Sequence, residues 1–280
     1  MLVRVKSAFL WAVCCFSSFS FAAWDGTAEV PSARDTVIFY DYEDFHYEAS
    51  LPLYHISTPE QLAGLAQLVN TVEPAENPEK ATENIPWRGV VLLDNDLVFG
   101  KDENSVSEHP WIPIGKNEKR IGEMIFDGKN HTIYGLDLTT QSDSIFGLFG
   151  FVEHTELKNV TLANYKVSMK ADPTYRAGDF YGGSLVGYAK YSNIHNVHTR
   201  GGAIKIEVLQ KTMIKDEEKG DYYVGVDEVS IGGIVGLLKG WIDSCSNASD
   251  VDVTFFESQN VGGIAGEILR QTEGSYDSVT

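Results

Sequence analysis

Side chains able to do chemistry are scattered along this chain, and few of them fall at spacings that a reaction would require. Asp143, Asp172, Asp179 and Arg176 are near one another in sequence and could supply the acidic Ca²⁺ ligands and the basic group of a polysaccharide lyase. They lie in loop-like segments, do not recur elsewhere, and suit a solvated acidic surface. His195 and His198 are three apart, which on a strand sends them to opposite faces and prevents joint chelation of a metal. Ser184 sits among glycines as a nucleophile-elbow serine does, but Val186 occupies the place where that turn needs glycine, so Ser184 reads as a turn residue. Asp94-Asn95-Asp96 lacks the glycine and distal glutamate of an EF-hand loop, and there is no His-Glu-x-x-His helix. Asn130, Asn159 and Asn247 open glycan-acceptor triplets, which matter only on a eukaryotic secretory route. No catalytic, cofactor-binding or metal-ligating residue is assigned. Tyr175, Tyr181, Tyr222 and Tyr223 fall in apparent insertions, where aromatic rings could stack on sugars or pack on protein; these are the candidate ligand loops.

The elements that must position these groups show themselves as a repeat. Four short blocks recur: Phe146-Gly147-Leu148-Phe149-Gly150, Gly183-Ser184-Leu185-Val186-Gly187, Gly232-Gly233-Ile234-Val235-Gly236 and Gly262-Gly263-Ile264-Ala265-Gly266. Three of them are followed by a second element, Leu157-Lys158-Asn159-Val160, Ile194-His195-Asn196-Val197 and Ile242-Asp243-Ser244-Cys245. Its first member lies seven, seven and six residues after the closing glycine. Such phase predicts short strands stacked copy on copy, each leaving an apolar edge that only its neighbour covers. Glycines at the block ends suit tight corners. Leu157, Val160, Ile194, Val197, Ile242 and Cys245 are expected at equivalent inward positions. Asn159 and Asn196 recur at one site, where an amide can bond its counterpart one copy away and tolerate a left-handed backbone. Upstream, Thr58 to Asn70 predicts a helix, with Thr58 and Gln61 forming a capping box, Pro59 in the first turn, and Leu62, Leu65, Ala66 and Val69 on one face. Thr71 to Pro86 reads as a solvated loop.

Those blocks resemble the GLUG-motif repeats of secreted bacterial surface proteins, which also occur beside adhesin modules and immunoglobulin A metallopeptidases. Phe126-Asp127-Gly128-Lys129-Asn130-His131-Thr132-Ile133-Tyr134-Gly135-Leu136 is similar to the segment that enters such repeats. Val91 to Leu97, Trp111-Ile112-Pro113-Ile114-Gly115 and the helix from Thr58 are similar to the usual lead-in, so the similarity spans roughly Tyr54 to Gly266. It implies an all-β fold, a right-handed parallel β-helix with an N-terminal capping helix. Phe146 and Ser184 each replace a glycine, and a charged insertion at 211–227 lengthens one repeat. The family carries no single activity.

Composition bounds the partners. The 280 residues are 43% hydrophobic, with 22 Lys and Arg against 40 Asp and Glu, a formal charge of −18, so nucleic acid and anionic lipid would be repelled. Arg4 and Lys6, the apolar run Ala8 to Val13 and the exit Ser20-Phe21-Ala22 predict a secretory signal over 1–22, cleaved after Ala22, and the apolar part is too short to span a bilayer. A lead-in over 23–53 and a repeat domain over 54–280 follow. Two of the three cysteines leave with the signal and Cys245 remains alone, so no intrachain disulfide is expected. Polygalacturonase-type blocks such as Asp-Asp, Gly-His-Gly, Asn-Thr-Asp and Arg-Ile-Lys are absent. The expected function is a secreted, surface-exposed, non-catalytic binding module for a polysaccharide or surface protein, the alternative being a carbohydrate-active enzyme. After Gly266 the remaining residues are too few to complete another repeat, so the end is expected to be continued by more chain or covered by a partner.

Overall fold

The computed structural model describes residues 23–40, 48–71, 87–116, 121–139, 145–171, 178–208, 212–215, 222–224, 226–254 and 260–269. An antiparallel pair, β1 (Asp35–Tyr40) and β2 (Glu48–Ile56), precedes the helix α1 (Pro59–Asn70). Then come β3 (Trp87–Leu93), β4 (Leu97–Val98), β5 (Ile121–Tyr134), β6 (Ile145–Phe146), β7 (Phe149–Glu153), β8 (Thr155–Ala163) and β9 (Lys166–Ala171). They are followed by β10 (Gly178–Gly182), β11 (Val186–Val208), β12 (Thr212–Ile214), β13 (Tyr222–Val224), β14 (Val226–Gly232), β15 (Val235–Asp243), β16 (Ser246–Thr254), β17 (Asn260–Gly262) and β18 (Ala265–Leu269). Apart from the pairs β1–β2 and β12–β13, the strands pair in parallel, in a twelve-stranded sheet and a four-stranded sheet ordered β17-β14-β10-β6. The all-β, parallel character expected from the repeats is therefore present. β2 pairs in parallel with β3, so it joins the sheet across the division drawn at residue 53.

Register puts like on like. Tyr54, Val91, Phe126, Leu157, Ile194 and Ile242 align strand by strand, as do Phe149, Val186, Val235 and Ala265 on another side. Phe126 and Leu157 are fully buried and Ile194 nearly so, each contributing roughly 1.5–3 kcal/mol. Ile114 bridges in parallel to Phe149, and its N–H donates to Leu148 O at 3.0 Å, so Ile114-Gly115 stands where Phe149-Gly150 stands in the next copy. α1 buries Leu62, Leu65, Ala66 and Val69 as its spacing requires. Thr58 Oγ1 accepts from Gln61 N at 3.3 Å, and Gln61 Oε1 reaches back to accept from Ser57 N at 2.8 Å.

Two corners rely on the left-handed backbone region. Asn130, Asn159, Asn196 and Ser244 take φ of 65, 53, 51 and 52° at one corner, where an amide side chain lowers the cost. Gly135, Asn164 and Gly201, at 73, 54 and 63°, do the same at the next. The uneven block spacing also has a local cause. His154 (φ 50°) and Tyr191 (φ 49°) are extra left-handed residues before Thr155 and Ser192; the third copy lacks one, and Gly240 aligns directly with Ser192.

Burial falls in the last copy: Leu148, Leu185 and Ile234 are inaccessible, while their counterpart Ile264 is 38% exposed. The glycines report the same edge. A Cβ on Gly183 would lie 2.3 Å from Ile234 O and one on Gly233 2.2 Å from Gly263 O, whereas one on Gly263 meets nothing within 4 Å. Gly183→Ala is therefore expected to destabilise by about 1–3 kcal/mol through backbone overlap, and Gly263→Ala to be neutral or stabilising by up to about 1 kcal/mol; urea midpoints measure both.

Candidate functional site

Each residue proposed from sequence has a definite place where it is described. Leu157, Val160, Ile194 and Val197 are buried in register, and Cys245 occupies the column position after Val197 but, like Ile242, is only half-buried, because it belongs to the less covered third copy. Burial pushes the Cys245 thiol up; Sγ lies 3.0 Å from Asp243 O. Tyr175, Asp143, Asp172 and Arg176 lie outside the described residues, and Tyr222 and Tyr223 sit on β13, paired with β12. Tyr181 is not displayed on a ligand loop. It is buried on β10 against Tyr188, with ring centroids 5.3 Å apart, and its hydroxyl donates to Asp179 at 3.1 Å.

The polar groups expected to do no chemistry are held by neighbours. Ser184 Oγ is inaccessible and donates to Gly233 O at 2.6 Å. Asn196 Nδ2 donates to Asn159 Oδ1 at 2.8 Å and to Asn130 Oδ1 at 3.1 Å, while Asn159 Nδ2 donates to Asp127 at 3.0 Å, forming an amide ladder across three copies. His195 Nε2 is 2.8 Å from Glu156, and His198 instead faces Ser246 and Asn196. Burial works to raise the Glu156 carboxyl, but hydrogen bonds and charge from Lys158 and His195 outweigh it and hold the group below its usual range. Among the described residues no group of three or more His, Cys, Asp or Glu is arranged to hold a metal ion.

Three features remain as candidates. A cavity of about 500 Å³ beside α1 is walled by Trp24, Trp111, Ala63, Ala66, Asn70 and His109. Three of its polar wall side chains are committed internally: Trp24 Nε1 to Thr27 O, Trp111 Nε1 to Leu148 O, and Asn70 to Pro113, Gly115 and Lys116. An acidic corner joins Asp179 and Tyr181 on β10 with Glu228 on β14 and Glu267 on β18. Glu267 accepts from Ser230 Oγ at 3.2 Å and Asn260 Nδ2 at 2.9 Å, and burial together with a hydrogen bond to Glu267 raises Glu228. Asp179 and Glu228 each stand four residues ahead of a repeat block, a recurrence sequence reading passed over. The third feature is aromatic. Trp241 is 71% exposed on β15, in register with Asn193, and Tyr191 is 40% exposed with its ring stacked on His154 at 5.2 Å and 26°. Only the six-residue spacing of the third copy hinted at anything unusual there.

No family model, curated protein or solved structure matches this chain. Among the described residues no helix is long and apolar enough to cross a membrane.

Glu228 offers a test of the acidic corner. A carboxyl raised by folding binds its proton more tightly in the native state, so its ionisation costs stability as pH rises above the unfolded value of about 4.3. Glu228→Gln is expected to raise the thermal midpoint at pH 7.5, with the gain shrinking as pH falls towards 4. A gain that is the same at both pH values would contradict the assignment.

Proposed function

We propose that the chain is an exported parallel β-helix of the GLUG-motif kind, acting as a non-catalytic, adhesin-like or scaffold module that binds a polysaccharide or a surface protein. The observation carrying this reading is the side-chain register: like residues stack through successive copies, which leaves a continuous outward face on which Trp241 and Tyr191 are displayed. Trp24 is buried, with its backbone N–H bonded to Phe99 O at 3.2 Å, so the chain is packed on the sheet two residues past the proposed cleavage site, which is compatible with 1–22 acting as a signal. Val261, Ile264 and Ile268 are exposed apolar residues on one edge, which supports coverage of that edge by a partner chain.

The second reading, a carbohydrate-active enzyme, is favoured by the raised Glu228 beside Asp179 and Glu267. The Glu267 carboxylate, however, is already engaged by Ser230 Oγ at 3.2 Å and Asn260 Nδ2 at 2.9 Å, partners that suit a structural carboxylate. The test is retention on a panel of immobilised polysaccharides and cell surfaces beside a reducing-sugar assay. Retention without new reducing ends is the expected outcome; release of reducing ends that disappears in Glu228→Gln would replace this reading with the enzymatic one.

A further inference from the structure

The outward face of β7, β8, β15 and the 186–198 part of β11 differs from the rest of this acidic protein. There Lys158, Lys190 and Lys239 balance Glu153, Glu156 and Asp243, against a formal charge of −18 for the whole chain. Two of the carboxylates are matched locally: Lys190 Nζ donates to Glu153 at 2.6 Å, and Lys158 and His195 both contact Glu156. A charge-balanced patch neither attracts a polyanion strongly nor repels an uncharged chain.

Aromatic placement within that patch has its own cost. Tyr191 holds a bulky side chain in the left-handed backbone region, where such residues are uncommon, beside His154, a residue type that region tolerates better. Their rings stack, and Lys190 Nζ sits 5.0 Å from the Tyr191 ring centre. In the third copy Gly240 replaces the Tyr191-Ser192 step, so no side chain stands at the equivalent position beside Tyr191. Trp241 follows, 71% exposed, whereas Trp24, Trp87 and Trp111 are between 4 and 8% exposed. Asn193, exposed and in register with Trp241, has no side-chain partner among the described residues.

We propose that this face, centred on Trp241, Asn193 and Tyr191, binds an uncharged polysaccharide running along the stack of copies. The C–H face of a sugar ring is apolar and slightly positive, matching the electron-rich faces of indole and phenol rings. Its hydroxyls need neutral donors and acceptors, which the Asn193 amide, the Trp241 N–H and the Tyr191 hydroxyl supply. The proposal rests on the binding-module reading and narrows it to one site and one ligand class.

Buried Trp24, Trp87 and Trp111 leave Trp241 as the tryptophan after residue 22 that a neutral quencher reaches, so acrylamide quenching reports this face directly. The secreted full chain is titrated with a soluble β-glucan, a mannan and polygalacturonate. One of the two neutral glycans is expected to shield Trp241, and Trp241→Ala to weaken its retention at least about tenfold, with Tyr191→Ala costing about three- to tenfold. Val30→Ala, at an exposed apolar residue elsewhere, keeps full binding, and unchanged thermal midpoints establish that the variants fold. Shielding by polygalacturonate alone, or glycan binding that survives Trp241→Ala, overturns the proposal. Capture of a cell-surface protein with no shielding by any glycan also overturns it while the binding-module reading stands; no binding to any member of either panel removes both.

Discussion

Parallel hydrogen bonding between equivalent segments of successive copies is the constraint on which the remaining structure depends. Leu148 N–H donates to Ser184 O, Leu185 N–H to Ile234 O and Ile234 N–H to Ile264 O, so each copy satisfies its backbone on the next. Fixing the backbone this way fixes the side chains too, because strand period and common register force Phe126, Leu157 and Ile194 into one column. The price of such close backbone approach is that corners admit little beyond hydrogen, which explains Gly183 against Ile234 O.

Polar residues obey the same register. The Asn130, Asn159 and Asn196 amides stack because they occupy one left-handed corner, Asn196 donating to both of the other amide oxygens and Asn159 to the Asp127 carboxylate. At Ser244 the amide gives way to a short hydroxyl and the ladder stops, in the copy where Ile242 and Cys245 are half-covered. The stacking that is favourable for amides is unfavourable for carboxylates. Asp179, Glu228 and Glu267 are brought together on β10, β14 and β18, and burial, followed by the neighbouring carboxylates Glu267 and Asp179, raises Glu228.

Outside the columns, freedom returns. Residues at outward positions need only avoid repelling their counterparts above and below, so the exterior can be specialised without touching the core. The stacked His154 and Tyr191 rings, the missing bulge residue at Gly240 and the uncovered Trp241 all lie on such positions. The left-handed Tyr191 step, which the third copy lacks at Gly240, leaves the tyrosine ring exposed next to the strand that carries Trp241.

The sequence by itself determined the repeat, the α1 helix and the corner asparagines, because apolar period, capping chemistry and left-handed tolerance are local properties of named residues such as Thr58, Gln61 and Asn196. Its spacing of seven, seven and six residues also held the Tyr191 to Gly240 difference, though nothing local says that the extra residue is a left-handed bulge. Only the tertiary structure decided that Tyr181 is buried while Trp241 is bare, that Ile114 joins the Phe149 column, and that Glu228 and Glu267 meet. Those outcomes depend on which strand lies alongside which, a relation between residues some 30 to 50 positions apart that registers no signature in either segment alone.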